Sequence, residues 1–115
     1  MRLEDLTEKK IGICVSGGLD SRTVTTRLRE AGLDVVCFSA DLAQPDEDDI
    51  QAIVERMAPT GAETHIVDLR QEMAEACFTM LRSQSRYDGG YWNTTGMARA
   101  VTVQGLLPAM QEHGC

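Results

Sequence analysis

The residues best equipped for chemistry sit in one short stretch, Ser16-Gly17-Gly18-Leu19-Asp20-Ser21. Two hydroxyls and a carboxylate surround a pair of glycines, and glycines let a backbone turn where a Cβ would clash. Before it runs Ile11-Gly12-Ile13-Cys14-Val15, short, mostly apolar and rich in β-branched residues, which predicts a buried strand. After it, Arg22 to Ala31 can wind as a helix. A helix start leaves backbone N–H groups without partners and carries partial positive charge. Phosphate placed there is bound by geometry and field together, and Ser16 and Ser21 add hydroxyl donors on either side. The chemistry this spacing suits is holding the phosphates of a nucleotide.

The elements that must position this loop follow a regular alternation. Residues 1–10 read as a short helix or frayed lead-in, residues 11–15 as a strand and residues 21–31 as a helix that Gly32 closes. Val35-Val36-Cys37-Phe38-Ser39 is nearly continuous in apolar character, as in a strand covered on both faces. A loop from Ala40 to Pro45 follows. Asp46-Glu47-Asp48-Asp49 is expected to open a helix, because acids suit a helix N-terminus, with Ile50, Ile53, Val54 and Met57 at helical spacing. Thr60-Gly61-Ala62 ends it. A third strand is expected over 63–67 and a helix over 69–81, with Leu69, Met73, Ala76, Cys77, Met80 and Leu81 as its apolar face. Residues 83–93 read as irregular, and a last helix spans 95–113 with a kink at Pro108. Strands alternating with helices predict an α/β fold, a parallel sheet flanked by helices and Rossmann-like in its winding. Ligands of such sheets bind at the carboxyl ends of the strands. There the loop after strand one, Ala40-Asp41 after strand two and Asp68 after strand three converge.

With 115 residues, the chain is expected to be one domain. No apolar run approaches the roughly 18 residues of a membrane span. The start, Met1-Arg2-Leu3-Glu4-Asp5-Leu6, lacks the apolar core of a signal peptide, so a cytoplasmic location is expected. A net charge of −7 argues against a general nucleic-acid surface, which needs a basic stripe. It also means that a polyanion must be held by local positive groups. The cysteines, Cys14, Cys37, Cys77 and Cys115, form no C-x-x-C pair, and His65 and His113 have no ligand-like spacing. Neither a zinc site nor disulfides are expected. Cys14 and Cys37 are expected to be small core residues.

Three phosphate loops compete for the motif. A Walker loop requires a lysine that this stretch lacks, and a dinucleotide fingerprint requires a third glycine, although Asp41 stands where that fingerprint keeps its ribose acid. The stretch instead resembles the S-G-G-x-D-S loop of the N-type ATP pyrophosphatases, which cleave ATP between its α and β phosphates. Phe38-Ser39-Ala40-Asp41-Leu42-Ala43-Gln44 resembles the F-T-A-D-x-G-Q segment of argininosuccinate synthase. Asp68-Leu69-Arg70-Gln71-Glu72 resembles its D-L-R-x-E segment. Tyr91-Trp92-Asn93-Thr94-Thr95-Gly96-Met97-Ala98-Arg99 resembles its Y-x-x-x-T-S-x-A-R segment. The four blocks keep the family's order and span nearly the whole chain.

The resemblance implies roles. Cys14, Val15, Ser16, Gly17, Gly18, Leu19, Asp20, Ser21 and Arg22 would form the ATP loop, and the backbone of Ala40 would meet adenine. Tyr91, Thr95 and Gly96 would sit at a citrulline pocket, and Arg99 would face phosphate or substrate carboxylate. No protein cage of metal ligands is implied, and Mg²⁺ would arrive with ATP near Asp20. Arg22 stands where serine is usual, Gly96 where the family has serine, and Ala100 where proline is usual. The family continues with a further strand and H-G-x-T-G-x-G-N-D. The sequence stops before that strand at Cys115, so the domain is expected to be incomplete at its C-terminus and strand one to expose an edge. The expected function is the ATP-binding part of a ligase joining citrulline and aspartate with release of AMP and pyrophosphate. Residues 1–115 alone are expected to show little or no ligase activity, and no residue stands out as a general base. The expected partners are these small molecules, with no nucleic acid or membrane, and either further copies of the chain or the remainder of a split ligase. Two other readings stay open: a non-catalytic nucleotide-binding or interaction subunit, and an adenylating enzyme of the same superfamily with another acceptor.

Overall fold

The structure, a computed structural model, describes residues 2–115. Its sheet has three parallel strands, β1 (Lys10–Cys14), β2 (Asp34–Asp41) and β3 (Glu63–Asp68), in the order β1-β2-β3. Ile11 pairs with Val35 and Cys14 with Phe38, while Phe38 pairs with His65 and Asp41 with Asp68. The helices are α1 (Leu19–Glu30), α2 (Ala52–Met57), α3 (Arg70–Arg82) and α4 (Thr94–Glu112). This is the Rossmann-like architecture that the alternation predicts.

β2 is central, and its residues from Val35 to Ala40 are all buried, which explains why the run is apolar at every position but Ser39. Side chains alternate across it. Val36, Phe38 and Ala40 pack with Leu69, Val101 and Leu106 beneath α3 and α4. On the other face Cys37 packs with Val15, Ile53, Met57 and Ala62, beneath α2. There the polar helix α1 buries Thr25, whose hydroxyl lies 3.8 Å from Cys37 Sγ. Glycine closes α1 as expected, with Gly32 at φ 85° and its N–H donating to the Arg29 carbonyl at 2.9 Å.

Four sequence expectations change. The acidic run does not open α2. Asp49 folds back instead, its Oδ1 accepting the Gln51 N–H at 3.0 Å, so the turn chemistry of a short carboxylate outweighs the helix-end field and α2 starts at Ala52. The segment expected to be irregular contains a hairpin, β4 (Arg86–Tyr87) against β5 (Tyr91–Trp92). Asp88 and Gly89 supply its positive φ angles of 47° and 69°, and the Arg86 guanidinium lies 3.9 Å over the Trp92 ring. Cys14 is not a core residue but exposed, because β1 is an edge strand. Leu81, expected on the apolar face of α3, is exposed, as is Phe78.

The fold also joins two side chains that are far apart in sequence. The rings of His65 and His113 are 4.1 Å apart, beside Phe38. His113 Nδ1 donates to the Ala109 carbonyl at 2.8 Å. Glu63 Oε1 is 3.1 Å from His65 Nε2 but out of hydrogen-bond alignment. Among the described residues no group of three or more His, Cys, Asp or Glu side chains is placed to hold a metal ion.

Candidate functional site

β1 feeds directly into the glycine loop. The last bond of its ladder is Val15 N–H to the Phe38 carbonyl, 2.9 Å. Gly17 then takes φ 75°, a left-handed conformation that side-chain-bearing residues rarely adopt. Gly18 is the N-cap of α1, and no side chain caps that end. The first bond of the helix is Arg22 N–H to the Gly18 carbonyl at 3.1 Å. The N–H groups of Leu19, Asp20 and Ser21 are thus left without an intrahelical partner. Ser21 braces the loop from inside: its Oγ accepts the Ser16 N–H at 3.0 Å and lies 3.2 Å from Ser16 Oγ. The result is a turn with backbone donors free at a helix start, a geometry suited to an anion.

The loop opens into a cleft of about 240 Å³ lined by Val15, Ser16, Ser39, Ala40, Glu47, Ile53 and Thr102, together with Leu42, Gln44 and Asp46. A second, more apolar cleft of about 450 Å³ is lined by Ala43, Pro45, Met73, Cys77, Thr94, Thr95 and Ala98, and again by Leu42 and Gln44. The two clefts adjoin across one turn. That turn is fixed internally: Asp41 Oδ1 accepts the Ala43 N–H at 3.0 Å and Gln44 Oε1 accepts the Leu42 N–H at 2.9 Å. Helix α4 runs past both, giving Thr95 to one and Thr102 to the other.

Of the residues expected at the site, Val15, Ser16 and Ala40 line the first cleft and Thr95 the second. Ser21, Gly17 and Gly18 shape the loop behind them, and Asp20 is exposed in the first turn of α1. Leu19 and Arg22 line a separate hollow together with Thr23, Thr26 and Pro59. Tyr91 is 80% exposed on the hairpin and borders neither cleft. The space a side chain at Gly96 would need is filled by the Asn93 amide, whose Oδ1 is buried without a hydrogen-bond partner. Arg99 is exposed and makes no ion pair among the described residues. Asp41 spends its carboxylate on the Ala43 N–H and on Arg70, 3.6 Å away, which leaves little for a ribose.

Asp68 and Arg70 form the charged rim at the carboxyl end of β3. Arg70 binds the Asp68 carboxylate through Nε at 2.9 Å and Nη2 at 2.8 Å, and its backbone N–H donates to Oδ1 at 3.2 Å. These bonds hold the Asp68 carboxyl down at about 2 and push the guanidinium up. At the loop, burial around the Cys14 thiol pushes its pKa up, although the residue as a whole is exposed.

Two charged residues at the loop were not expected from the sequence. A Cβ on Gly17 would lie 2.8 Å from Arg56 Nε and 3.3 Å from Nη2, so the guanidinium occupies that space. Arg56 Nη2 in turn donates to Glu47 Oε2 at 2.5 Å, and Glu47 lines the cleft. Arg56 is 39 positions past Gly17, and only the fold brings them together; the lone signal was the acidic run containing Glu47.

Residues 10–115 match the family model for the arginosuccinate synthase N-terminal HUP domain. The fold is similar to that of the crystal structure of NAD+ synthetase from Burkholderia pseudomallei, at 17% identity and a TM-score of 0.50. That alignment covers 95% of this chain and 56% of the synthetase chain, so this chain spans little more than half of that structure's length.

Proposed function

The chain belongs to the argininosuccinate synthase family, matching its N-terminal HUP domain, and from that premise we propose that it is the ATP-binding part of a ligase that activates citrulline for attack by aspartate. A HUP domain of the ATP pyrophosphatase type implies ATP-using adenylation. The observation that carries the acceptor reading is the pair of adjoining clefts. One begins at the phosphate loop and Ala40, the other reaches Thr95, and they share Leu42 and Gln44. An acceptor held against Thr95 would thus lie next to the α-phosphate of a nucleotide seated on the loop, as in-line attack requires.

In this reading, the N–H groups at the start of α1 and the Ser16 and Ser21 hydroxyls hold the departing pyrophosphate and stabilise its growing charge. Ala40, buried and without side-chain bulk, leaves room for the adenine. Asp20, an exposed carboxylate in the first turn of α1, would meet the Mg²⁺ carried by the phosphates, which neutralises charge on the leaving group. The altered residues Gly96 and Arg22 keep the acceptor open, and a nucleotide-binding subunit without catalysis is the alternative.

Calorimetry separates these readings. ATP–Mg²⁺ is expected to bind the 115-residue chain weakly and to lose all measurable affinity in Gly18→Val. With ATP present, citrulline is expected to give a second binding heat that Thr95→Val removes. Unchanged ATP affinity in Gly18→Val would refute the loop assignment. Binding of ATP but of no citrulline would favour another acceptor or the non-catalytic subunit.

A further inference from the structure

We propose that Arg56 binds the phosphates of the nucleotide, and that Glu47 is the counter-ion it exchanges for them. The inference rests on the loop reading above and adds to it the cation that the loop itself lacks. A strongly acidic chain can hold pyrophosphate only through local positive charge, and the stretch from Ser16 to Ser21 contains no basic residue. Arg22, next in sequence, lines a different hollow. The guanidinium that packs on the loop is that of Arg56, which fills the space left by the missing side chain of Gly17.

Its mounting is rigid at the root, and its tip, paired with Glu47, stays partly open to solvent. α2 is pinned by Ile53 and Met57, which are 2% and 0% exposed, and a Cβ on Gly17 would also touch Ile53, at 3.4 Å from Cγ2. The Arg56 side chain keeps 39% of its surface in contact with solvent, enough to turn towards an incoming ligand. Glu47, 19% exposed, places a carboxylate on the wall of the cleft that opens from the loop, and Arg56 stands behind it. Alone, that carboxylate would repel a phosphate, whereas pairing with Arg56 offsets its charge and leaves Asp46 as the other acid of the wall. An arginine fork suits a phosphate as well as a carboxylate, so the two anions compete for one cation. A purely structural pair, stapling the acidic turn to α2, predicts the opposite response to removal of the Glu47 charge.

Titration calorimetry of the full chain with Mg²⁺ and either inorganic pyrophosphate or ATP tests the exchange, with circular dichroism to verify folding. Glu47→Gln keeps the shape and removes the competitor, so pyrophosphate is expected to bind several-fold more tightly. Arg56→Ala is expected to weaken both ligands tenfold or more, and Arg56→Lys to restore part of the loss. Combined with Glu47→Gln, Arg56→Ala is expected to cost more than it does alone. Weaker or unchanged binding in Glu47→Gln overturns the exchange. Affinity within twofold of the wild type in a folded Arg56→Ala overturns the phosphate role. Should Arg56→Ala not fold, the sign of the Glu47→Gln change and the affinity of Arg56→Lys decide. Gly18→Val separates the two levels: if it abolishes binding while the Arg56 variants do not, the loop stands and the inference falls. If the wild type binds neither ligand, both fall.

Discussion

The two glycines of the loop make different physical demands, and replacing each with alanine separates them. Gly17 has φ 75°, where a residue with a Cβ is disfavoured by about 1–2 kcal/mol. The new methyl group would also lie 2.8 Å from Arg56 Nε and displace it from Glu47, a half-exposed pair worth up to about 1 kcal/mol. Against these, alanine lowers the entropy of the unfolded chain by about 0.4–1 kcal/mol. The net expectation for Gly17→Ala is a loss of about 2 kcal/mol. At Gly18, φ is −76° and the nearest atom to a new Cβ is Ser16 Oγ at 3.5 Å. A weaker N-cap, costing about 0.5–1 kcal/mol, is offset by the same entropy term, for a net change near zero. Urea unfolding followed by circular dichroism is the assay, since Trp92 sits on the hairpin, away from the core. With a denaturant slope of about 1.5 kcal/mol per M, Gly17→Ala should lower the midpoint by about 1.3 M while Gly18→Ala barely moves it. Equal midpoints for the two variants would refute the argument that the left-handed turn at Gly17 and the Arg56 contact shape the loop.

Other predictions concern charge and packing elsewhere. Asp68 is depressed from an ordinary 3.8 to about 2 in the folded protein, so its contribution to stability is complete above about pH 4 and disappears as the pH falls towards 2. An NMR titration should show this low midpoint, and Arg70→Ala should return it towards the ordinary carboxylate range. Because burial raises the Cys14 thiol, alkylation of this exposed cysteine should be slow at neutral pH and quicken as the pH rises. ATP–Mg²⁺ should protect it, and equal rates with and without nucleotide would place the ligand elsewhere. A Cβ on Gly105 would collide with the side chain of buried Leu69, where α4 meets α3. Overpacking of about 1–3 kcal/mol should outweigh the roughly 1 kcal/mol gain in helix propensity, so Gly105→Ala should melt at a lower temperature than the wild type.

The layered fold was legible because its strongest determinant is local. Val35 to Phe38 needs cover on both faces, and the sequence supplies helical patterns on either side of it. The strand–turn–helix geometry of the glycine loop was legible for the same reason: strand, glycines and helix start are contiguous. What escaped the sequence depends on topology or on a single turn. The exposure of Cys14 follows from the place of β1 at the sheet edge, which no local pattern encodes. The hairpin has two residues per strand, too few for a period, although Asp88-Gly89 between aromatic residues carries a turn signal. Arg56 reads as one more charge on an amphipathic helix until the fold sets it against Gly17. Asn93 likewise gains meaning only when its amide is found in the space beside Gly96.

The glycine loop grows out of β1, a strand whose backbone groups on one side have no partner strand among the described residues. A strand added there would bond the same backbone that leads through Val15 into Ser16, and would narrow the conformations open to the loop. Strand addition and nucleotide binding would then be thermodynamically linked. Whatever factor the added strand contributes to nucleotide affinity, the nucleotide returns to the strand. Occupancy of the loop would then report on the state of the sheet edge, and the edge would act as a control on the loop.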